Sequence, residues 1–291
     1  MNNLLVAGLL AAAMTPAAFA GEAGTVTTND PTIDTSGFMD VYYSVGNLQA
    51  NGIGVIDTSE FGGRASGTVT NGNYGFQGDF TAWSRILDPD IGTSLSASGA
   101  AVTAHAFFRD PSYLVGFATA FDRRSFVTDF DSLFAGIEGQ AFLDDLTLYG
   151  QIGYQKAWTG IDGLGSIGGV YARGALRYFP TDNLRLQLDA SYSKLDIMTT
   201  TTVGAEARYQ FDQLPVSVFA AYDFTKASAS SVPEDLYQHQ FRLGVSMAFG
   251  ADSLKDQDRH GTSLDPYEAT YSLPYAIVAA GCQNNNCAPI P

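Results

Sequence analysis

Tyr237-Gln238-His239-Gln240-Phe241-Arg242-Leu243-Gly244-Val245-Ser246-Met247-Ala248-Phe249 decides how this chain is read. Tyr237, His239, Phe241, Leu243, Val245, Met247 and Phe249 fall on one set of alternate positions; Gln238, Gln240, Arg242, Gly244, Ser246 and Ala248 fall on the other. Successive side chains of a β-strand point to opposite faces, so this period of two makes one face oily and the other wet. The division recurs upstream. Leu184, Leu186, Leu188, Ala190 and Tyr192 alternate with Arg185, Gln187, Asp189, Ser191 and Ser193, and Val203, Ala205, Ala207, Tyr209 and Phe211 alternate with Gly204, Glu206, Arg208 and Gln210. A soluble sandwich has a richly charged outer face and an aliphatic inner one. Here the wet face is Gln, Ser, Thr, Gly and charges of both signs, and the oily face is rich in Tyr and Phe.

Working outward, alternation of this kind predicts strands near 36–46, 62–70, 74–84, 99–109, 113–121, 132–142, 146–156, 166–179, 184–193, 201–211, 216–224 and 237–249. Tight turns such as Asn71-Gly72-Asn73 and Leu143-Asp144-Asp145 alternate with longer connections near 47–61, 85–98, 122–131, 157–165, 194–200 and 225–236. An even number of strands, short turns at one rim and long loops at the other describe an antiparallel up-and-down transmembrane barrel. Lipid offers no hydrogen bonds to backbone groups, so a sheet that crosses it must close and leave no edge. Aromatics collect near both ends of the oily face. Tyr74, Phe108, Tyr113, Tyr178, Phe211 and Phe249 lie by the short turns, and Tyr43, Phe121, Tyr154, Tyr192, Tyr222 and Phe241 lie toward the loops. These are the positions of two interfacial girdles.

Composition agrees. Only 15% of the 291 residues are charged, against about 25% in soluble domains. With 31 Gly and 12% aromatics the chain suits strands and turns and excludes an all-α fold. The formal net charge of -15 excludes a nucleic-acid partner, which needs clustered Lys and Arg to replace counterions. Residues 1–20, with an apolar run from Leu4 to Met14 and Ala18-Phe19-Ala20 before Gly21, have the form of a secretory signal peptide. Residues 21–35 are polar and patternless, and are expected to be a flexible lead-in to a barrel over 36–249. The remainder, 250–291, is expected to be a periplasmic tail. In an exported chain its cysteines, Cys282 and Cys287, are expected to form a local disulfide. The tail could plug the lumen, dock on a periplasmic partner or hang free.

The strand that ends at Phe249 resembles the terminal-strand assembly signal of bacterial outer-membrane β-barrel proteins, with Phe241, Leu243, Val245 and Met247 at alternate positions before the final aromatic. The resemblance implies recognition by the barrel-assembly machinery and residence in the outer membrane among lipid and lipopolysaccharide. Members of that superfamily mostly end at the aromatic, whereas this chain continues to Pro291.

On the wet face, Arg173, Arg177, Arg185, Arg208 and Arg242 stand with Asp189, Glu206 and Asp223 on neighbouring strands. Two readings are open: a charged constriction that sorts solutes, or wall residues that neutralise one another as ion pairs. The expected function is a porin-like channel for passive diffusion of small hydrophilic solutes, anions among them. The alternatives are a structural or surface-interaction barrel with a closed lumen and, third, an outer-membrane hydrolase. No Ser or carboxylate stands beside His105, His239 or His260 in a recognisable pattern, so no catalytic residues, metal or cofactor are expected.

Overall fold

The computed structural model describes residues 33–50, 54–89, 94–126, 129–159, 166–196, 198–212, 214–229 and 235–268. Among them twelve strands form one closed antiparallel barrel. In chain order they are β1 (Ile33–Ala50), β2 (Gly54–Asn71), β3 (Tyr74–Pro89), β4 (Leu95–Asp110), β5 (Tyr113–Ser125) and β6 (Asp129–Leu143), then β7 (Leu146–Thr159), β8 (Ser166–Thr181), β9 (Leu184–Leu195), β10 (Met198–Gln210), β11 (Val216–Ala229) and β12 (Leu236–Phe249). Each pairs with its sequence neighbours, and β12 closes the sheet on β1 in the register Gly37↔Phe249 through Ala50↔Leu236. At the seam the Phe249 ring lies over Gly37, where a Cβ would sit 2.3 Å from the ring.

The period of two sorts the faces as the sequence predicts. Tyr43, Phe117, Ile137, Leu188 and Leu243 are exposed on the outside, while their strand neighbours, buried or half-buried, face the bore. Such an exterior is solvated by hydrocarbon. The terminal-strand residues Phe241, Leu243, Val245, Met247 and Phe249 all stand on it.

Three boundaries differ from expectation. β1 begins at Ile33, within the stretch read as lead-in, because Ile33 to Ser36 pair with the end of β2 from Thr68 to Asn71. Segments read as long loops are largely strand, so that β1 and β2 are joined through residues 51–53 alone. Beyond the hydrocarbon the outer face need not be oily, so alternation fades while backbone pairing continues. Asp57, Asp88, Asp129 and Asp131, read as loop acids, therefore lie on strands. The signal segment, residues 21–32 and both Cys282 and Cys287 lie outside the described residues.

The third difference concerns the tail. At Gly250 the backbone takes a φ of +72° and the chain turns inward past β1. A helix, α1 (Leu254–His260), follows, capped by Ser253 Oγ accepting from the Asp256 amide. It sits against the short-turn rim. Lys255 Nζ donates to Asp145 at 2.7 Å and Arg259 Nη2 donates to the carbonyls of Asp144 and Leu146 at 2.8 Å. Residues 261–268 then run into the bore. Of the three expectations for the tail, the plugged lumen is the one that describes residues 251–268, because the bore supplies cations and amides that pair with the segment's carboxylates and main chain.

Gly250 makes that turn possible. A Cβ there would lie 2.2 Å from the Thr35 carbonyl oxygen, and its positive φ strains any residue but glycine. Gly250→Val is expected to weaken plug docking by about 1–3 kcal/mol while leaving the twelve-stranded ladder closed. Faster trypsin cleavage at Arg259 with unchanged heat-modifiable gel mobility would show it.

Candidate functional site

The bore has three zones. Nearest the short turns is the plug, held by side chains from most of the barrel. Arg177 on β8 is the central holder. Its Nη1 donates to Asp258 Oδ1 at 2.7 Å and to the Ser263 carbonyl at 2.8 Å, and its Nη2 lies 2.9 Å from Asp265 Oδ2. Four residues along the same strand face, Arg173 lies 3.6 Å from Asp265 and 3.1 Å from Glu268. The order Asp258, Arg177, Asp265, Arg173, Glu268 is an alternating ladder of charge. Burial alone would raise the Asp265 carboxyl, but the guanidiniums of Arg177 and Arg173 hold it well below the usual carboxylate range.

Beside this ladder, Arg109 Nη2 donates to the Gly261 carbonyl at 2.8 Å and to Ser263 Oγ at 2.9 Å. Leu264 is buried among Phe107, Leu114, Phe142, Tyr149 and Ala175. Tyr267 stacks on Phe134 at 4.7 Å and 3° between planes, and meets Tyr171 edge-on at 5.0 Å. Its hydroxyl donates to Gln155 at 2.5 Å.

Above the plug lies a polar chamber, a cavity of about 110 Å³ whose lining includes Tyr42, Trp83, Arg124, Asp189, Asp223 and Glu268. Here the predicted wall charges are paired. Arg208 binds Asp40 with two nitrogens at 3.0 and 3.1 Å and Glu206 at 3.1 Å; Arg185 binds Glu206 at 2.6 Å; Arg242 binds Asp223 at 2.8 Å. Asp189 lies 3.7 Å from Arg173. All eight predicted lumen residues therefore face the bore. They divide into two groups, with Arg173 and Arg177 reaching the plug and the other six lining or approaching the chamber. Of the two readings, mutual neutralisation describes the wall contacts seen here.

At the loop end the bore changes character. Leu48, Leu87, Ala97, Phe130, Ala157, Ile167, Leu195, Met198, Ala227 and Leu236 are buried with Trp83 in one contiguous cluster, and Ile56 and Phe126 pack against it. Each strand supplies a member from its loop end, Phe126 standing just past β5. This end of the bore is packed with apolar side chains. Directly beneath, Arg85 and Glu60 form an ion pair at 2.6 Å, both nearly inaccessible.

Sequence reasoning missed several of these groups. Glu60, Arg85, Asp122 and Arg124 were assigned to loops, although each continues its strand's inward phase: Thr58, Glu60, Gly62 and Arg64 on β2, and Ala120, Asp122 and Arg124 on β5. Carrying that phase one to three residues further would have found them. The plug residues Asp258, Asp265, Tyr267 and Glu268 have no such signal. His105 also corrects its expectation. It lies between two carboxylates, Nδ1 at 2.7 Å from Glu138 and Nε2 at 3.0 Å from Asp79, which cross-strand registers bring together from residues far apart in sequence. It is fully buried. Ser66 donates to Asp79 rather than to the imidazole, so the arrangement orients no nucleophile on a base. Among the described residues no group of His, Cys, Asp or Glu is placed to hold a metal ion.

No family model and no curated protein matches the sequence. Among solved structures the chain is similar to the KdgM porin, at 15% identity over 72% of this chain and 99% of that one, with a TM-score of 0.41. It is similar to the translocator domain of the autotransporter NalP from Neisseria meningitidis, at 12% identity over 84% and 97%, with a TM-score of 0.44. It is also similar to the Pseudomonas putida toluene transporter TodX, at 9% identity over 74% and 89%, with a TM-score of 0.43. At these identities the likeness is one of barrel architecture.

Proposed function

We propose that this protein is an outer-membrane channel for passive diffusion of small hydrophilic solutes, held closed in the state seen here. The observation that carries this reading is the polar chamber between two closures, neither of which is part of the barrel's backbone ladder. A barrel of about eight strands is just wide enough for its own side chains to fill. Here the bore is wide enough to admit a separate peptide segment, and that segment is held by hydrogen bonds and ion pairs that can be exchanged for water. Lipid, lipopolysaccharide and the barrel-assembly machinery are the partners that the apolar exterior and terminal strand suit, with the bacterial outer membrane as the location.

The pairing of the wall arginines favours a second reading, a scaffold with a permanently closed lumen. Planar-bilayer recording separates the two. The full chain is expected to be mostly silent with infrequent discrete openings. A variant that weakens both closures, Arg177→Gln with Leu87→Asp and Leu236→Asp, is expected to conduct steadily. If that variant folds as a barrel and never conducts, the channel reading fails.

A further inference from the structure

The plug is held in a manner that does not depend only on its being part of this chain. Gln77 on β3 grips the main chain of Leu264 from both sides: its Nε2 donates to the Leu264 carbonyl at 2.7 Å and its Oε1 accepts from the Leu264 amide at 3.1 Å. Arg64 Nη2 donates to the same carbonyl at 2.9 Å. The Ser263 carbonyl takes Arg177 at 2.8 Å and Gln140 at 3.2 Å, and the Gly261 carbonyl takes Arg109. These bonds read an extended peptide backbone and no particular side chain. Side-chain selection comes from elsewhere: a closed apolar pocket around Leu264, an aromatic slot around Tyr267 three residues on, and Arg177 and Arg173 facing the carboxylates of Asp265 and Glu268.

Backbone clamps, two apolar side-chain pockets and a pair of carboxylate-binding arginines are the parts of a peptide-recognition site. The barrel wall supplies all of them. The β12 to β1 seam closes at Phe249, before the plug begins, so the segment contributes no strand to the sheet. We infer that the turn-side half of the bore is a binding site for an extended acidic peptide bearing an aliphatic residue and, three positions later, an aromatic one, and that residues 261–268 are its tethered occupant. The inference goes beyond the channel reading, because the site would bind peptide whether or not the bore conducts.

The test uses the full chain. A specific protease site is inserted between Ala251 and Asp252 at the short-turn rim, and the protein is cleaved after folding. A fluorescent synthetic peptide corresponding to residues 252–268 is then added in detergent and its anisotropy followed. Saturable uptake of one peptide per barrel, displacing the cleaved fragment, is expected. Peptides carrying Leu264→Asp or Asp265→Asn are expected to bind roughly tenfold more weakly or worse, the consequence of losing one buried contact of this kind. A scrambled peptide of the same composition that competes equally would overturn the inference. So would a cleaved fragment that never exchanges, since the segment would then be a fixed part of the protein's core. Neither result depends on current, so failure here is distinguishable from failure of the channel reading.

Discussion

Arg177→Gln is expected to raise the rate of trypsin cleavage at Arg259 by roughly a hundredfold or more, because the substitution removes a side chain that ties Asp258, Ser263 and Asp265 to the wall at once. Arg177 is 1% exposed and meets Asp258, Asp265 and the Ser263 carbonyl at once, with Nε donating to Gln187 at 3.2 Å. Without the guanidinium, two carboxylates remain in a bore from which water is largely excluded. Removing one partner of a buried ion pair costs about 3–5 kcal/mol, which is roughly a hundredfold to several thousandfold in the docked-to-undocked ratio. Arg259 is the reporter because docking keeps it 12% exposed against the carbonyls of Asp144 and Leu146. The barrel itself should survive, since its ladder does not pass through Arg177's side chain, and unchanged heat-modifiable mobility would confirm that. Arg177→Lys should fall between the two proteins, keeping the charge but not the fork that reaches several acceptors. Cleavage at Arg259 that does not change in Arg177→Gln would remove this residue from the plug's anchorage.

The second large effect concerns the opposite mouth. Leu87→Asp with Leu236→Asp is expected to wet the apolar layer, because an unpaired carboxylate costs several kcal/mol in a dry site and brings water with it instead. Leu87 and Leu236 are 2% and 3% exposed and stand on β3 and β12, within the cluster that every strand helps to build. Thr200, on β10 next to Met198 of that layer on the inward face, is 2% exposed and lies on its chamber side. Replaced by cysteine, it should react with a membrane-impermeant thiol reagent applied from the loop side roughly tenfold faster or more in the double variant than in the unmodified layer. Equal rates would mean that the layer does not separate the chamber from the loop-side solution. The two predictions are independent in space, one at each end of the bore, so their effects should add.

How much of this could be read in advance follows from the range of each signal. The twelve strands and their faces were legible because side-chain alternation is a local property: two residues suffice to set a phase, and hydrocarbon demands an oily residue at each outward position. Tyr237 to Phe249 shows this without reference to any other part of the chain. Strand length was less legible. Where β2 or β5 runs beyond the bilayer the outward demand lapses, and Glu60, Asp122 and Arg124 then look like loop residues although their inward phase is unbroken. The apolar layer was invisible for another reason. Each strand contributes one or two residues, and Leu48, Leu195 or Leu236 alone is an unremarkable end to a strand; closure of the sheet is what makes them neighbours.

Residues 251–268 were the least legible. They carry no alternation, repeat or motif, and the groups that hold them come from β1 to β10, from Ser36 to Gln210. Sequence alone determined that the chain closes into a barrel with an oily face outside and polar groups within, because those facts follow from a period of two and from the need of a sheet with one oily face to leave no edge. Only the tertiary structure decided what fills the bore. Pairing Asp258 and Asp265 with Arg177, and Leu264 with Gln77, depends on distances across a closed sheet, and those distances do not exist until all twelve strands are in register.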